Sequence, residues 1–194
     1  MTEQLLRLQF HPVTPDRWKD FEHLFGENGA CAGCWSRSVW WRLSRAEFSE
    51  KHYDGNKRAI KKIITTGQEP GILAYVDGEP IRWCAVAPRE AYPSLDRSSV
   101  LQRVDDQPVW SVTCFYVARG SRRSGVTGQL LEAAIQFARK HGAHIIEGYP
   151  VDSGGEKKNP PSVFTGLAST FERAGFVEVV RRSPARPIMR YFVK

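Results

Sequence analysis

The alternation of apolar and polar positions divides the chain into short strands and amphipathic helices. A first strand is predicted over residues 4–10. The helix after it begins at Thr14, an N-cap residue type that is followed by Pro15 at the first helical position. A further helical region is predicted over 44–66, with a break near Asp54. The N-terminal part of the chain is therefore expected to pass from a strand into helices.

The strongest strand patterns lie in the middle of the chain. Residues 71–87 predict a hairpin around Asp77 and Gly78, since both positions of this two-residue turn tolerate positive φ. Residues 109–117 predict a central strand, because they carry no charge and are rich in β-branched and aromatic side chains. Between these elements, residues 88–108 predict a long polar loop, and loops of that length are often functional.

The C-terminal part predicts a strand–helix–strand unit followed by more helix and strand. The 3.6-residue period of the apolar positions indicates a helix over 125–141, which Gly142 ends. The strand over 143–148 is then parallel to 109–117, because such crossovers are right-handed. The remaining predicted elements are a helix over 161–174, closed by Gly175, and strands over 176–180 and 188–193. This order of elements predicts an α+β (mixed α/β) fold with one mixed sheet.

Tryptophans are concentrated in the segment 27–43. Trp35, Trp40 and Trp41 lie within seven residues there. Large aromatic side chains build cores and also line pockets. Packing in the core or at an edge is the favoured interpretation, and the wall of a pocket is the alternative.

Composition and charge narrow the class of protein. The chain has 194 residues, 41% hydrophobic and 25% charged, which is typical of one globular domain. We therefore expect a single domain over 1–194. There is no secretory signal and no apolar run of the roughly 18 residues that a membrane helix needs, so we expect a cytoplasmic protein without a membrane partner.

The net charge of +7 suits a polyanionic small ligand or a nucleic acid. Nucleic acid is less favoured, because the basic residues are dispersed and no binding signature accompanies them.

The cysteines do not predict a metal site. Cys31 and Cys34 form a CxxC pair, but neither a second such pair nor a paired histidine motif follows. We expect no metal and reduced thiols, with a metal or redox role for the pair as the less favoured alternative. Cys84 and Cys114 fall in predicted strands, and an acyl-cysteine intermediate is disfavoured because neither has an evident histidine partner.

The turn between the strand 109–117 and the following helix suits a phosphate group. The first amides of a helix lack intrahelical partners, and the helix dipole adds positive charge there. Gly125 and Gly128 allow a close approach to the backbone, and Arg122 adds fixed charge. The turn lacks the Gly-Lys-Ser/Thr ending of an ATP-binding loop and the three-glycine spacing of a dinucleotide fingerprint. A solvated basic helix start is the alternative to a phosphate site.

This turn resembles the pyrophosphate loop of the GNAT superfamily of acyl-CoA-dependent N-acetyltransferases, whose pattern is Gln/Arg-x-x-Gly-x-Gly/Ala. Arg122, Gly125 and Thr127 occupy its three defined positions, although Thr127 departs from Gly/Ala and Gly128 follows. The run 169–176, Ser-Thr-Phe-Glu-Arg-Ala-Gly-Phe, is similar to the closing helix of these enzymes. The resemblance extends over most of the chain. It implies a central mixed, mostly antiparallel twisted sheet of about six to seven strands flanked by helices.

The resemblance also implies a site for acetyl-CoA as the acyl donor, in a cofactor-binding core over about 109–176. Pantetheine pairs with the backbone of the strand before the loop, and the pyrophosphate lies on the loop. The implied cofactor-binding residues are Phe115, Tyr116, Val117, Arg122, Arg123, Ser124, Gly125, Val126, Thr127 and Gly128. The amide of Val117 is implied as the donor that stabilises the oxyanion.

Two positions depart from what is common in the superfamily. Phe171 stands where many relatives have a tyrosine that acts as the general acid. Ser111 stands where histone-acetylating relatives have a glutamate that acts as the general base. The replacement candidates are Glu147 in the strand 143–148 as the base, and Tyr149 as a direct participant. Tyr149 follows two residues later and lies on the same face as Glu147 if that strand continues. Ser169 could also supply a hydroxyl. Each of these three also has a structural interpretation, as a paired carboxylate, a packing residue or a surface residue.

The predicted function is transfer of an acetyl group from acetyl-CoA to a primary amine of a small molecule or a protein, by direct attack in a ternary complex. The segments 27–43 and 88–108, the latter with Asp105 and Asp106, are candidate walls for the acceptor. Two alternatives stay open: a catalytically weak acyl-CoA-binding regulatory module, and a basic nucleic-acid-binding domain. The chain is expected to be a monomer or a homodimer.

Overall fold

One mixed sheet organises the chain, as a computed structural model of the protein shows. Among the described residues, seven strands form this sheet in the order β1-β2-β3-β4-β5-β7-β6. The strands are β1 (Gln9–Pro12), β2 (Gly71–Val76), β3 (Glu79–Pro88), β4 (Trp110–Val117), β5 (Ile145–Gly148), β6 (Val177–Arg181) and β7 (Pro187–Phe192). The structure describes residues 8–30, 33–36, 38–50, 54–118, 120, 127–156 and 159–194.

Helices lie before, between and after the strands. They are α1 (Trp18–Phe25), α2 (Ser38–Arg42), α3 (Arg45–Glu50), α4 (Asp54–Thr65), α5 (Pro93–Asp96), α6 (Thr127–Lys140) and α7 (Ala168–Arg173). Short 3₁₀ turns cover Pro15–Arg17, Arg89–Ala91 and Pro160–Val163. No helix among these described residues is both long and apolar enough to cross a membrane.

Strand pairing is antiparallel everywhere except between β4 and β5. These two strands pair in parallel, and α6 forms the crossover between them, as predicted. The hairpin of β2 and β3 turns at Asp77 and Gly78, whose φ angles are 49° and 84°. Both angles are positive, as the turn sequence requires. The expected sheet is thereby confirmed: six to seven strands, mixed and mostly antiparallel.

Each face of the sheet carries its own core. On one face, α6 and α7 cover apolar side chains of β2 to β5, and Leu130, Leu131 and Ala134 of α6 are fully buried. On the other face, α1 and α4 pack through Phe21 and Ile60 against β2 and β3. A smaller cluster around Tyr92 and Leu95 lies beside this second core. The predicted apolar face of the 125–141 helix is therefore buried where α6 is described.

The helix predicted over 161–174 is wrong in its first half. Residues Pro160–Val163 form a 3₁₀ turn, and α7 begins only at Ala168. The break has a physical cause, because Gly166 has φ +87° and its backbone lies against the rings of Phe171 and Phe115. Leu167 instead forms an isolated parallel bridge with Val151, which lies three residues beyond the end of β5.

Three smaller predictions also need adjustment. β1 begins at Gln9, so the predicted strand 4–10 overlaps it only at its end, and residues 4–7 lie outside the described part. Thr14 makes no capping hydrogen bond; its hydroxyl accepts from Arg17 Nη1 at 3.0 Å instead. The loop 88–108 holds a 3₁₀ turn and α5, and it buries Tyr92, Leu95 and Leu101.

Candidate active site

A gap opens in the sheet between β4 and β5. The two strands pair at Trp110 with Ile146, at Ser111 with Glu147, and at Val112 with Gly148. β5 ends there, whereas β4 continues to Val117, and over this second half β3 is its only partner among the described strands. The second half of β4 therefore presents backbone groups to a space that β5 does not fill.

The N-terminus of α6 follows the open half of β4 closely in the chain. The described part of α6 begins at Thr127, so the helix and the positive end of its dipole follow Val117 closely in the chain. Thr127 and Gly128, the first described residues of α6, are half-buried. The other predicted loop residues, Arg122, Arg123, Ser124, Gly125 and Val126, lie outside the described residues.

The open half of β4 is aromatic on both faces of the sheet. Phe115 packs edge-to-face on Phe171, with ring centroids 6.1 Å apart, in the core under α6 and α7. Tyr116 points to the opposite face and stacks on Phe25 of α1 at 4.9 Å. Val117 is half-buried and pairs with Arg82 of β3. These contacts fix the position of the strand beside the gap.

Two glycine backbones hold the ring of Phe171. A Cβ at Gly148 would lie 2.1 Å from Phe171 Cε1, and a Cβ at Gly166 would lie 2.8 Å from Phe171 Cε2. The Phe171 side chain is fully buried. Its position therefore requires glycine on both sides, and this need explains Gly148 at the end of β5.

Glu147 lies at the centre of a buried ionic network. Its Oε1 accepts hydrogen bonds from Arg89 Nη1 at 2.9 Å and from the Tyr149 hydroxyl at 2.8 Å. Its Oε2 accepts from Arg190 Nε at 2.8 Å. Glu147 is completely buried, and the two arginines are nearly so. Both carboxylate oxygens are thus engaged by cations that share their burial.

Tyr149 connects this network to β4. Its hydroxyl lies 2.8 Å from the Ser111 hydroxyl and accepts from Arg89 Nη1 at 2.7 Å. Burial, and then the charge of Glu147, raise the pKa of Tyr149 well above its usual value, so the phenol keeps its proton. The structure thus brings the sequence candidates Glu147, Tyr149 and Ser111 into direct contact. Ser169 is exposed on α7 and is not among these contacts.

The network also fixes the segment 88–108 to the sheet. Arg89 donates to Asp96 Oδ1 at 2.8 Å and to the Leu101 carbonyl at 2.8 Å. Arg190 binds Asp105 through a pair of hydrogen bonds of 2.6 and 3.0 Å. Hydrogen bonds from Arg190 lower the pKa of Asp105 below its usual value. Asp105, which was predicted to line the acceptor site, therefore has both carboxylate oxygens bound to Arg190.

The sequence pattern did not indicate Arg89 and Arg190 as members of the site. A signal was available for Arg190, because it interrupts the apolar strand 188–193 and a buried charge needs a partner. Arg89 had no comparable signal, since it follows the end of β3 in a polar stretch. Its burial becomes visible only when the loop is folded against β5.

The tryptophan-rich segment contributes to the core. Trp35 is 2% exposed and stacks between Phe25 and Trp18. Ser36 accepts a hydrogen bond from the indole of Trp83 at 3.0 Å. Trp41 packs on the cluster around Tyr92, and the Trp40 side chain lies outside the description. The favoured interpretation of core packing is thus confirmed for Trp35.

The described thiols, those of Cys34, Cys84 and Cys114, are buried, and Cys31 lies outside the described residues. Burial raises the pKa of the Cys84 thiol well above its usual value, which disfavours the thiolate that a nucleophile needs. No group of three or more metal-ligating side chains occurs among the residues that the structure describes.

Comparisons with known proteins agree with this architecture. A family model described as the acetyltransferase (GNAT) family matches residues 37–154, which is more than half of the chain. No curated protein matches the sequence. A GNAT-family acetyltransferase from Listeria monocytogenes is similar in structure, with a TM-score of 0.60, 11% identity and coverage of 100% of this chain and 99% of the other.

Two further solved structures are similar at comparable distance. One is the PaiA N-acetyltransferase from Thermoplasma acidophilum in complex with coenzyme A, with a TM-score of 0.54, 11% identity and coverage of 96% and 99% of the two chains. The other is a polyamine N-acetyltransferase from Drosophila melanogaster that forms N-acetylagmatine, with a TM-score of 0.53, 11% identity and coverage of 96% and 100%. At such low identity the likeness shows the fold alone.

Proposed function

The chain belongs to the acetyltransferase (GNAT) family, and on this premise we propose that it transfers an acetyl group from acetyl-CoA to a primary amine. One observation carries the proposal: β4 and β5 part after Val112 and Gly148, just before the N-terminus of α6. A parallel pair that separates beside a helix start offers backbone donors to a pantetheine and a positive end to a pyrophosphate.

The proposed cofactor-binding residues fall into two groups. The backbone of Phe115, Tyr116 and Val117 would pair with the pantetheine. The amides and side chains of the turn before α6 would hold the pyrophosphate, namely Arg122, Arg123, Ser124, Gly125, Val126, Thr127 and Gly128. The excess of positive charge on the chain, +7, supports a polyanionic donor substrate.

In the proposed reaction, the neutral amine attacks the thioester carbon directly. A C–N bond forms, the C–S bond breaks, the amine loses a proton and the CoA thiol leaves. The Val117 amide is the proposed donor to the developing oxyanion, an interaction worth on the order of 3 kcal/mol in other enzymes. The buried, high-pKa thiol of Cys84 argues against an acyl-cysteine intermediate.

The proton carriers remain a prediction. Glu147 and Tyr149 stay the proposed base and participant, and the protonated phenol of Tyr149 suits a donor. Both Glu147 oxygens already accept from Arg89, Arg190 and Tyr149. A role in positioning these groups is therefore the competing hypothesis for Glu147, and Glu147→Gln separates the two.

Binding of acetyl-CoA tests the proposal most directly. We expect calorimetry to show heat on addition of acetyl-CoA, and pooled primary amines to release free CoA thiol. Gly125→Val places a branched side chain in the proposed pyrophosphate loop and should abolish binding in a folded protein. Gly120→Val is the matched control, because Gly120 is exposed and a Cβ there meets nothing within 4 Å.

The outcomes separate the proposal from its alternatives. Absence of heat and of thermal stabilisation at millimolar acetyl-CoA, in the wild type and in the variants Phe164→Ala and Thr165→Val, would refute it. Binding without turnover across a broad panel of amines would instead indicate an acyl-CoA-binding regulatory module. Unchanged affinity in a folded Gly125→Val variant would remove the loop assignment while leaving the donor in place.

A further inference from the structure

We propose that residues 159–167, here called the strap, occupy the gap between β4 and β5 in the free protein and must leave it when acetyl-CoA binds. This inference rests on the proposed function, since it concerns the same gap. It adds a property of this chain: the donor site is closed by the protein's own backbone before the donor arrives.

The strap contacts both edges of the gap. On the β4 side, the Phe115 amide donates a hydrogen bond to the Phe164 carbonyl at 2.6 Å. On the β5 side, the Val151 amide donates to the Gly166 carbonyl at 2.9 Å, and the Ala168 amide donates to the Val151 carbonyl at 3.0 Å. The strap therefore replaces β5 as the partner of β4 beyond the point where the two strands part.

The bond at Phe115 makes the strap and the donor competitors. An amide N–H makes one strong hydrogen bond, and this one points into the gap rather than toward β3. Phe115 is among the residues whose backbone is proposed to pair with pantetheine. The Phe164 carbonyl and the pantetheine would thus need the same donor and the same space.

Local features of the strap suit a segment that can be displaced. Residues 159–167 carry no charged side chain, so leaving the gap breaks no ion pair of their own. Thr165 accepts a single hydrogen bond from Arg186 Nη1 at 2.9 Å. Gly154 and Gly155 precede the strap, and Gly166 near its end has φ +87°. Glycines at both ends allow the backbone rotation that displacement requires.

The seated strap has a thermodynamic consequence. If the donor binds only the open form, the measured dissociation constant equals the intrinsic one divided by the open fraction. Weakening the contacts that hold the strap in the gap should therefore tighten donor binding. This is the reverse of the usual effect of a mutation beside a binding site. The observed association rate should also level off with acetyl-CoA concentration, at the rate of strap opening.

Two variants weaken the contacts of the strap in different ways. Phe164→Ala removes a ring that packs on the apolar cluster under α1, and Thr165→Val removes the acceptor for Arg186 at nearly constant volume. Each should bind acetyl-CoA about threefold or more tightly by calorimetry, following the population-shift relation. Phe192→Ala is the matched control, because Phe192 is 51% exposed on β7 and should leave affinity unchanged.

Amide hydrogen exchange of the wild-type protein reports on the strap itself. Saturating acetyl-CoA should speed exchange at the Val151 and Ala168 amides, whose hydrogen bonds hold the strap beside β5, whereas the Phe115 amide should stay protected. Binding heat together with unchanged exchange at Val151 and Ala168, or with unchanged affinity in folded strap variants, would overturn the strap inference and leave the proposed function standing. No binding by the wild type or by either variant would overturn both. Binding by a strap variant alone would support the strap.

Discussion

At the scale of single residues, Glu147 organises the polar contacts of the candidate site. It joins Arg89 and Arg190, which lie in different elements, and its hydrogen bond from Tyr149 extends the contact to Ser111 of β4. A buried carboxylate with two buried cations cannot be removed without leaving charge uncompensated. The residue therefore has a structural task, whatever its part in proton transfer.

Glu147→Gln should destabilise the protein by about 3 kcal/mol, because it leaves two buried arginines with less negative charge. Urea unfolding measures this change. Glu178→Gln, at an exposed ion pair on β6, is the control and should change stability by less than about 0.5 kcal/mol. A Gln variant of normal stability that has lost kcat would point to a base instead.

Gly148→Ala should destabilise the protein by about 1–3 kcal/mol through overpacking. Its Cβ would lie 2.1 Å from Phe171 Cε1. In the double variant Gly148→Ala/Phe171→Leu, the leucine at position 171 has no ring to clash with the new methyl group and should recover part of the lost stability. A double-mutant cycle should therefore give a favourable coupling energy. Simple additivity of the two changes would contradict the clamped arrangement of Phe171.

The elements show which parts of the structure the sequence could predict. The β2–β3 hairpin, β4, α6 and β5 all follow from local patterns, since each has its own periodicity and turn residues. The strap does not, because the helix predicted over 161–174 included residues 161–167, where Gly166 and the bridge between Leu167 and Val151 prevent a helix.

The ionic network was unpredictable for a related reason. Arg89 reaches Glu147 over 58 positions, and Arg190 reaches Asp105 over 85 positions. No local pattern encodes a contact of that range. The sequence could therefore indicate the gap and Glu147 as parts of a site, but not the partners that bury the carboxylate.

Asp105→Asn should loosen the 88–108 segment at neutral pH and lower Tm by about 2 °C, a small effect because Asp105 is exposed. The sign follows from the lowered pKa of Asp105. A carboxyl whose pKa is lower in the folded state stabilises above its unfolded pKa of about 3.9, and this contribution is lost as pH falls further. The Tm difference between wild type and variant should therefore shrink toward pH 3. A difference that is constant with pH would contradict the role of the Arg190 contact.

At the scale of the whole molecule, two cores brace one sheet from opposite sides. The gap beyond Val112 and Gly148 lies where β4 loses its parallel partner, so it is fixed by elements that are themselves well packed. The family fold persists at 11% identity to its structural neighbours because this arrangement of layers tolerates many apolar sequences.

The net charge of +7 predicts salt-sensitive donor binding. The affinity for acetyl-CoA should fall several-fold between about 50 and about 500 mM NaCl, since salt screens attraction between the basic protein and the phosphates. Calorimetric titrations across this range measure the change. An acetylated pantetheine without phosphates is the control and should show little salt dependence. Equal slopes for the two ligands would argue against an electrostatic pyrophosphate site.

The tight turn at Asp77 and Gly78 also bears on how the chain reaches this structure. β2 and β3 are adjacent in sequence, so their contacts close a short loop, and hairpins form within about 1–10 μs. β4 and β5 meet only after the α6 crossover, which requires a longer loop to close. We expect the hairpin to belong to the folding nucleus. The kinetic φ-value, the ratio of a mutation's effect on the folding barrier to its effect on stability, should be near 1 for substitutions around Gly78 and near 0 beyond β5. The half of the sheet that is proposed to bind the donor would then be the last part of the protein to assemble.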